Sequence, residues 1–256
     1  MHQIKCLRTH LGLNDYNMKV ALINVAKWED YYLKEWLDYN EKLGFDKVLM
    51  FQNDWKCELE HPILEKHVCN GNSIQVPLYN NVLNDNTEYD WLAFIDCDEF
   101  IVLKKHNNIK EFIEEYQHST NVIGLNWTFF GNLGKLSREG DSLIKQFPMR
   151  NKGTDQHIKV LVNARSGERM MLPHNTFGLS MDTNGKRFNG PFNPGGPMDV
   201  AYINHYHNKT KEDWELRCKR GRVDAPVPHD YDQWEREKNS NNEVEDLSAY
   251  NFLYGN

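Results

Sequence analysis

One apolar segment dominates the pattern of hydrophobic and polar positions along the chain. Residues 89–95 are mostly aromatic or aliphatic, and acidic residues follow at once, at Asp96, Asp98 and Glu99. A run this short cannot span a bilayer, and its composition is typical of a buried central β-strand. Because ligands bind beyond the carboxyl ends of the strands in an open α/β sheet, the acidic residues are predicted to lie at a functional site.

The segments around this run alternate between strand and helix patterns. Strands are predicted at residues 20–25, 47–52, 73–78, 89–95 and 122–127. A helix after the first strand ends at Gly44, and residues 109–116 form an amphipathic helix. Residues 159–162 and 170–172 predict strands of a smaller antiparallel element. This alternation predicts an α/β fold with a mostly parallel central sheet flanked by helices.

The chain of 256 residues is long enough to bury a sizeable core in one domain. We expect an N-terminal extension at residues 1–17, because the first apolar strand pattern begins soon after it. The folded domain is predicted at residues 18–228. Residues 229–256 are predicted to form a polar C-terminal tail that contains a helix.

Charge and composition argue against several classes of protein. The formal net charge is -7 and no long basic run occurs, which argues against nucleic-acid binding, since phosphate neutralisation requires clustered Lys and Arg. No apolar run has the length of a transmembrane segment, and the N-terminus lacks the apolar core of a signal peptide. The five cysteines are scattered without zinc-site spacing, so a soluble, cytoplasmic protein is expected.

Asp96 and Asp98 are the first candidates for metal binding. They are separated by one residue, so a turn after the strand would let both carboxylates approach one cation. Mg²⁺ or Mn²⁺, itself holding phosphate oxygens, would neutralise such a pair. The alternative is a solvated acidic turn after an ordinary strand.

A second polar stretch carries histidines and basic residues. His205 and His207 flank Tyr206, so both would lie on one face of an extended segment, and imidazole is a common ligand of first-row metals. Basic residues follow at Lys209, Arg217, Lys219, Arg220 and Arg222. They would attract an anionic substrate. The alternatives are a contact with an anionic membrane surface and an ordinary charged solvent face.

These motifs together resemble glycosyltransferase family 92 and the related bacterial family-2-like glycosyltransferases. The motifs are Phe-Ile-Asp-Cys-Asp-Glu-Phe at residues 94–100, Phe130-Gly131, Asn204-His205-Tyr206, Lys209-Thr210 and Arg220-Gly221. In such proteins a Lys-Asn-Glu stretch precedes a helix with Glu-Trp. Here Lys27-Trp28-Glu29 precedes Glu35-Trp36, with Trp28 in place of Asn. The resemblance extends over about residues 18–222 and implies a single domain with the GT-A fold.

The resemblance implies transfer of a sugar from a nucleotide sugar to a hydroxyl of a glycan or glycolipid acceptor. Galactose from its uridine diphosphate (UDP) is the favoured donor, and synthesis of a cell-surface polysaccharide or lipopolysaccharide is the implied pathway. Asp96, Asp98 and His205 would bind Mn²⁺ or Mg²⁺. Contacts with the donor are expected from Lys27, Glu29, Asp54, Asp96 and Lys209. Residues 18–103 would bind the nucleotide, and residues 104–228 would complete the metal and acceptor site.

Inversion at the anomeric carbon would further require a base that takes the proton of the acceptor hydroxyl. Glu139 and Asp141 are the candidates, with Asp155 behind them. The first two lie in a stretch at residues 128–141 that combines aromatic residues, glycines and acids, which suits a sugar pocket or a structural turn. Residues 188–197 are rich in Gly and Pro and predict a surface loop, either a lid or an ordinary insertion.

Three other classes stay open. A phosphatase of the haloacid-dehalogenase kind also ends an apolar strand in Asp-X-Asp, but it usually has Thr or Val where this chain has Phe100. A nucleotidyltransferase usually carries a Gly-rich loop after the first strand, and residues 25–28 contain no glycine. A non-catalytic carbohydrate-binding protein with the same fold would show no metal-dependent nucleotide binding.

Overall fold

The computed structural model of the protein describes residues 18–222 and 227–255, so the predicted extension at residues 1–17 lies outside the described residues. The strands are β1 (Val20–Ala26), β2 (Lys47–Asn53), β3 (Leu64–Cys69), β4 (Trp91–Phe94), β5 (Glu99–Leu103), β6 (Val122–Phe129), β7 (Met149–Arg150), β8 (Ile158–Asn163), β9 (Met170–Leu172), β10 (Asn175–Thr176), β11 (Ser180–Met181), β12 (Arg187–Phe188), β13 (Ala201–His205) and β14 (Val244–Glu245). The helices are α1 (Asp30–Leu43), α2 (Gln75–Asp85), α3 (Ile109–Tyr116), α4 (Leu143–Gln146), α5 (Lys211–Arg220), α6 (Gln233–Glu237) and α7 (Ser248–Tyr254).

The described residues form one ten-stranded mixed sheet and two small antiparallel sheets. The long path of the main sheet is β12-β11-β6-β8-β4-β1-β2-β3, and β13 joins β6 to β5. Strands β3, β2, β1 and β4 are parallel, whereas β8 runs antiparallel between β4 and β6. The small sheets pair β9 with β10 and β7 with β14. The predicted α/β class, with a parallel sheet and smaller antiparallel elements, is confirmed.

Two local predictions are wrong. Residues 73–78 lead into α2, and the third parallel strand is β3 instead. This strand lies at the edge of the sheet and is only partly buried, so it lacks the apolar run that marks β1 and β4. Residues 159–162 belong to β8, which lies inside the main sheet and not in a small antiparallel element.

Strand β4 ends just before the acidic residues, which therefore lie at the carboxyl ends of the parallel strands. All four of its residues are buried between β1 and β8. The chain then turns through Asp96 and Asp98 and continues as β5, which is antiparallel to β13. The register of this pair places Glu99 opposite His205. Two motifs that are far apart in sequence therefore meet because β5 and β13 are hydrogen-bonded neighbours.

Helix α1 supports β5 from behind. The Trp36 indole N–H donates to the Glu99 carbonyl oxygen at 2.8 Å, and the Tyr39 hydroxyl donates to the Ile101 carbonyl oxygen at 2.7 Å. The helix ends at Gly44, whose φ of 100° is in the left-handed region that favours glycine. The buried aromatic face of α1 thereby holds the strand that begins with Glu99.

The segment predicted as a tail folds against the domain. Strand β14 pairs with β7, and α7 contacts α1 and β5. The Arg150 guanidinium and the Tyr202 hydroxyl both donate to one carboxylate oxygen of Asp246, at 2.6 and 2.8 Å. This buried carboxylate ties the C-terminal segment to β7 and β13.

Gly131 follows β6 at the point where the C-terminal segment crosses it. A Cβ added there would clash with the Asn242 side chain and lie 2.5 Å from the Ser240 carbonyl oxygen. Because this backbone oxygen cannot rotate away, we expect Gly131→Ala to lower the free energy of unfolding by about 1–3 kcal/mol in urea denaturation. Gly153→Ala is the matched control, since its Cβ would meet no atom of the described residues within 4 Å. Equal losses in both variants would contradict the steric explanation.

Candidate active site

A cleft of about 400 Å³ lies at the carboxyl ends of β1 and β4. The turns after these strands form its floor, and side chains from α5 line it on one side. Side chains from β6, β8 and β13 line it on the other. The charged and histidine side chains that line it are Lys27, Glu29, Asp96, Asp98, His157, Lys159, His174, His205, His207, Arg217, Arg220, Arg222 and His229.

Asp98 is the most strongly paired carboxylate in the cleft. It is 5% exposed, and Lys209 Nζ and an Arg217 nitrogen each lie 3.4 Å from its Oδ2. Burial would raise the pKa of Asp98, but the neighbouring cations, Lys209 above all, hold it well below its usual value. Asp98 is therefore ionised at physiological pH.

His205 approaches the other oxygen of the same carboxylate. Its Nε2 lies 3.7 Å from Asp98 Oδ1, and its buried Nδ1 has no hydrogen-bond partner among residues 18–222 and 227–255. Burial lowers the pKa of His205 to about 3, so the ring is neutral. The ring packs against Trp127 with 4.3 Å between centroids. An ionised carboxylate and a neutral imidazole therefore meet in a water-poor position.

Asp96 faces a different partner. Lys159 is 1% exposed, and its Nζ donates to Asp96 Oδ2 at 2.8 Å. The same Nζ lies 3.7 Å from Glu99 Oε1, while Glu99 Oε2 accepts from the Asp96 backbone N–H at 3.0 Å. Burial raises the pKa of Glu99. The insertion of β8 beside β4 thus directs Asp96 towards a buried lysine.

Two side chains of the cleft are suitable ligands for one divalent cation. Asp98 and His205 offer oxygen and nitrogen ligands, a combination that Mn²⁺ accepts. Asp96 contacts Lys159 instead of joining them. Within residues 18–222 and 227–255, no group of three acidic, histidine or cysteine side chains is placed to hold a metal ion. Substrate oxygens or water would have to supply the remaining ligands.

The residues predicted to contact the donor lie around the floor of the cleft. Lys27 and Glu29 line it, and Asp54 lies 3.6 Å from Lys27 Nζ without lining the cleft. Glu29 pairs with Arg220, and its Oε2 lies 3.7 Å from Lys209 Nζ. Lys209 therefore lies between the carboxylates of Glu29 and Asp98.

Helix α5 presents the basic residues selectively. It begins at a capping box in which Thr210 and Asp213 exchange hydrogen bonds. Arg217 and Arg220 line the cleft, whereas Lys219 is exposed. The cap fixes the start of the helix directly after Lys209, which explains the Lys209-Thr210 pair of the sequence motif.

The two acids predicted as the catalytic base do not reach this cleft. Glu139 and Asp141 line a separate pocket beside α4 and α7. The Glu139 backbone N–H donates to Gln146 Oε1 at 2.8 Å, and its carboxylate pairs with Lys135. Hydrogen bonds to α4 thus hold this loop away from Asp98.

Asp155, the third candidate, lies beside a residue that sequence reasoning missed. His157 Nδ1 is 2.5 Å from Asp155 Oδ1, and the imidazole lines the cleft. The Asp-X-His spacing of residues 155–157 is the sequence signal that could have identified His157.

The loop at residues 188–197 is fixed by buried hydrogen bonds through Asn193. The Asn126 amide donates to the Asn193 carbonyl oxygen at 2.8 Å, and the Asn193 amide donates back to Asn126 Oδ1 and to Asp182, both at 3.1 Å. A Cβ at Gly196 would clash with Asn126. These buried contacts oppose the lid motion that the loop's length suggested.

The fold and the cleft define an α/β protein in which a strand-end carboxylate meets the basic side chains of a helix. The sequence profile described as glycosyltransferase family 92 matches residues 71–244. The chain belongs to glycosyltransferase family 92, and the resemblance noted in the sequence is confirmed.

Two further comparisons complete this result. No curated protein matches the chain. A crystal structure of TarS from S. aureus is similar to it with a TM-score of 0.30 and 13% identity. That match covers 57% of this chain and 28% of the TarS chain. Across the described ranges, every helix is too short or too polar to cross a membrane.

Proposed function

We propose that this enzyme transfers a sugar from a UDP-sugar, with galactose favoured, to a hydroxyl of a glycan or glycolipid, with inversion. The observation that carries the proposal is Asp98, an ionised and buried carboxylate flanked by Lys209 and Arg217 where parallel strands end. Such a position suits a diphosphate bound through a cation. Family resemblance supports the choice of UDP and galactose, and cell-surface polysaccharide or lipopolysaccharide synthesis is the proposed pathway.

In this proposal, Asp98 and His205 hold one Mn²⁺ or Mg²⁺ ion. When bound, the ion neutralises charge on the leaving diphosphate. Arg217 and Arg220 border the same space and stabilise the negative charge that grows as the glycosidic bond breaks. Asp96, oriented by Lys159, accepts a hydrogen bond from a ribose or sugar hydroxyl.

The nucleoside is proposed to lie over the ends of β1 and β2. Lys27 and Asp54 form their ion pair there, and Glu29 anchors Lys209 and Arg220 on the adjacent side. Trp28 is 39% exposed and has a φ of 56°, which is strained for a bulky residue. Its indole offers a flat face to the nucleobase where the family pattern has Asn.

Calorimetric titration of UDP and other nucleoside diphosphates, with and without Mn²⁺, tests the donor site. We expect UDP to bind, and we expect EDTA to weaken the binding of UDP by removing the metal ion. Arg217→Ala is expected to raise the dissociation constant about tenfold, since an ionic hydrogen bond contributes about 1.5 kcal/mol. Lys219→Ala, on the exposed face of the same helix, is the matched control. Failure of every nucleotide to bind under any metal condition would overturn the proposal and favour a carbohydrate-binding role.

We propose a cytoplasmic site of action, with peripheral contact to an anionic membrane surface for a lipid-linked acceptor. Arg217 and Arg220 face the cleft, so the basic segment offers less charge to a membrane than its sequence suggests. Sedimentation with vesicles of anionic phospholipid at low salt tests the contact. Protein that stays in the supernatant would remove the membrane contact and leave the transfer reaction in place.

A further inference from the structure

A second carboxylate–histidine pair, Asp155 and His157, presents its imidazole to the cleft, apart from Asp98 and His205. Asp155 Oδ1 is 2.5 Å from His157 Nδ1 and also accepts from the His157 backbone N–H at 2.9 Å. The His157 side chain is 36% exposed and lines the cleft. Because Nδ1 faces the carboxylate, Nε2 is the nitrogen that a ligand in the cleft can meet.

Aromatic neighbours hold the imidazole of His157 in place, and a backbone hydrogen bond fixes the chain next to it. It stacks on Trp127 with 5.1 Å between centroids and a 21° interplanar angle, and the ring of Phe192 meets it edge-on at 4.8 Å. The Asn193 backbone N–H donates to the Gln156 carbonyl oxygen at 2.7 Å, which fixes the chain beside it. The loop at residues 188–197 therefore packs directly against His157 and the residue before it.

The position of His157 suits the acceptor side of a sugar. Trp127 contacts His157 and also His205, the residue beside Asp98. The indole ring of Trp127 thus lies between His157 and His205, which is beside the proposed diphosphate site. Trp127, His157 and His205 all line the cleft of about 400 Å³, so a sugar bound there would have its leaving group towards Asp98 and its acceptor towards His157.

Among the residues that the structure describes, the other carboxylates lining the cleft are committed to cations. Glu29 pairs with Arg220, Asp96 with Lys159, and Asp98 with Lys209 and Arg217. Each of these carboxylates therefore already has a cation as its partner. His157 differs because its partner, Asp155, is itself a carboxylate.

We propose that His157 is the catalytic base of the transfer and that Asp155 is its positioning residue. This inference rests on the proposed function. The acceptor hydroxyl oxygen bonds to the anomeric carbon as its proton passes to His157 Nε2. The bond from that carbon to the diphosphate oxygen breaks, and its electron pair leaves with the diphosphate. Asp155 keeps a proton on Nδ1, so that Nε2 carries the lone pair, and then stabilises the imidazolium.

The experiment uses water as the acceptor, so no glycan needs to be identified. Release of UDP from UDP-galactose, UDP-glucose and UDP-N-acetylglucosamine is measured with Mn²⁺. We expect His157→Asn to lower kcat roughly 10²-fold or more, with the dissociation constant of UDP unchanged in calorimetry, because a general base acts on the chemical step. His118→Asn, at an exposed histidine outside the cleft, is the matched control.

Chemical rescue separates catalysis from folding. Free imidazole is expected to restore UDP release in His157→Gly. It should fail to do so in His157→Gly combined with Asp155→Asn, because the added imidazole then lacks its orienting carboxylate. Asp155→Asn alone should lower kcat while leaving KM for the donor unchanged.

The outcomes separate this inference from the proposed function. If the unmodified enzyme binds UDP and releases it from a donor, while His157→Asn does so at the same rate, His157 is not the base. A loss in His157→Gly that imidazole does not restore also overturns the assignment. If the unmodified enzyme releases no UDP from any of the three donors, the proposed function fails first.

Discussion

Asp98→Asn is expected to reduce UDP release from the donor by about 10²–10³-fold, the range found when a preorganised electrostatic group is removed from an active site. The change removes one of the two side chains proposed to hold the cation. It also leaves Lys209 and Arg217 without the carboxylate that lies 3.4 Å from each of them. The diphosphate would still meet positive charge, but in the wrong position for reaction.

Calorimetry should show this change directly. In Asp98→Asn we expect UDP to bind through the basic side chains with no further gain from Mn²⁺. Asp199→Asn is the matched control, since Asp199 is exposed and pairs only with Lys105, at 3.5 Å, among the ion pairs described. Binding of UDP to Asp98→Asn that still requires Mn²⁺ would show that Asp98 is not a metal ligand.

Glu35→Ala is expected to lower the free energy of unfolding by about 3 kcal/mol, because two buried backbone N–H groups and two hydroxyls would lose their shared acceptor. Glu35 lies on α1 and is 5% exposed. One of its oxygens accepts from the hydroxyls of Ser142 at 2.5 Å and Tyr254 at 2.9 Å. The other accepts from the backbone N–H groups of Leu143 at 2.6 Å and Ile144 at 3.3 Å. This one carboxylate joins α1 to α4 and α7.

Urea denaturation followed by circular dichroism measures the effect of Glu35→Ala. Glu114→Ala on the exposed face of α3 is the control, and it should change stability by less than about 0.5 kcal/mol. A loss of the same size in both variants would show that the hydrogen bonds of Glu35 contribute no more to stability than an exposed glutamate does.

The Glu35-Trp36 pair shows how a sequence motif can serve the scaffold. Glu35 anchors α4 and α7, and Trp36 donates to the carbonyl oxygen of Glu99 next to the acidic turn. Neither side chain lines the cleft. The Glu35-Trp36 motif therefore stabilises the elements that surround the site.

Local patterns in the sequence were sufficient for several elements. The apolar run before Asp96 predicted β4 and its buried position, Gly44 predicted the end of α1, and the periodicity of Ile109–Tyr116 predicted α3. These signals are local, because they depend on side-chain period and on residues that tolerate unusual backbone angles. The same reasoning failed at β3, because an edge strand is half-exposed and carries no continuous apolar run.

The sequence by itself determined the fold class, the acidic end of β4 and the family to which the chain belongs. Only the tertiary structure decided which partners those residues meet. Pairing of β5 with β13 brings His205 to Asp98, and insertion of β8 beside β4 brings Lys159 to Asp96. Hydrogen bonds to α4 place Glu139 in another pocket. These outcomes depend on strand register and loop direction, which arise from contacts between distant segments and leave no periodic trace in the sequence.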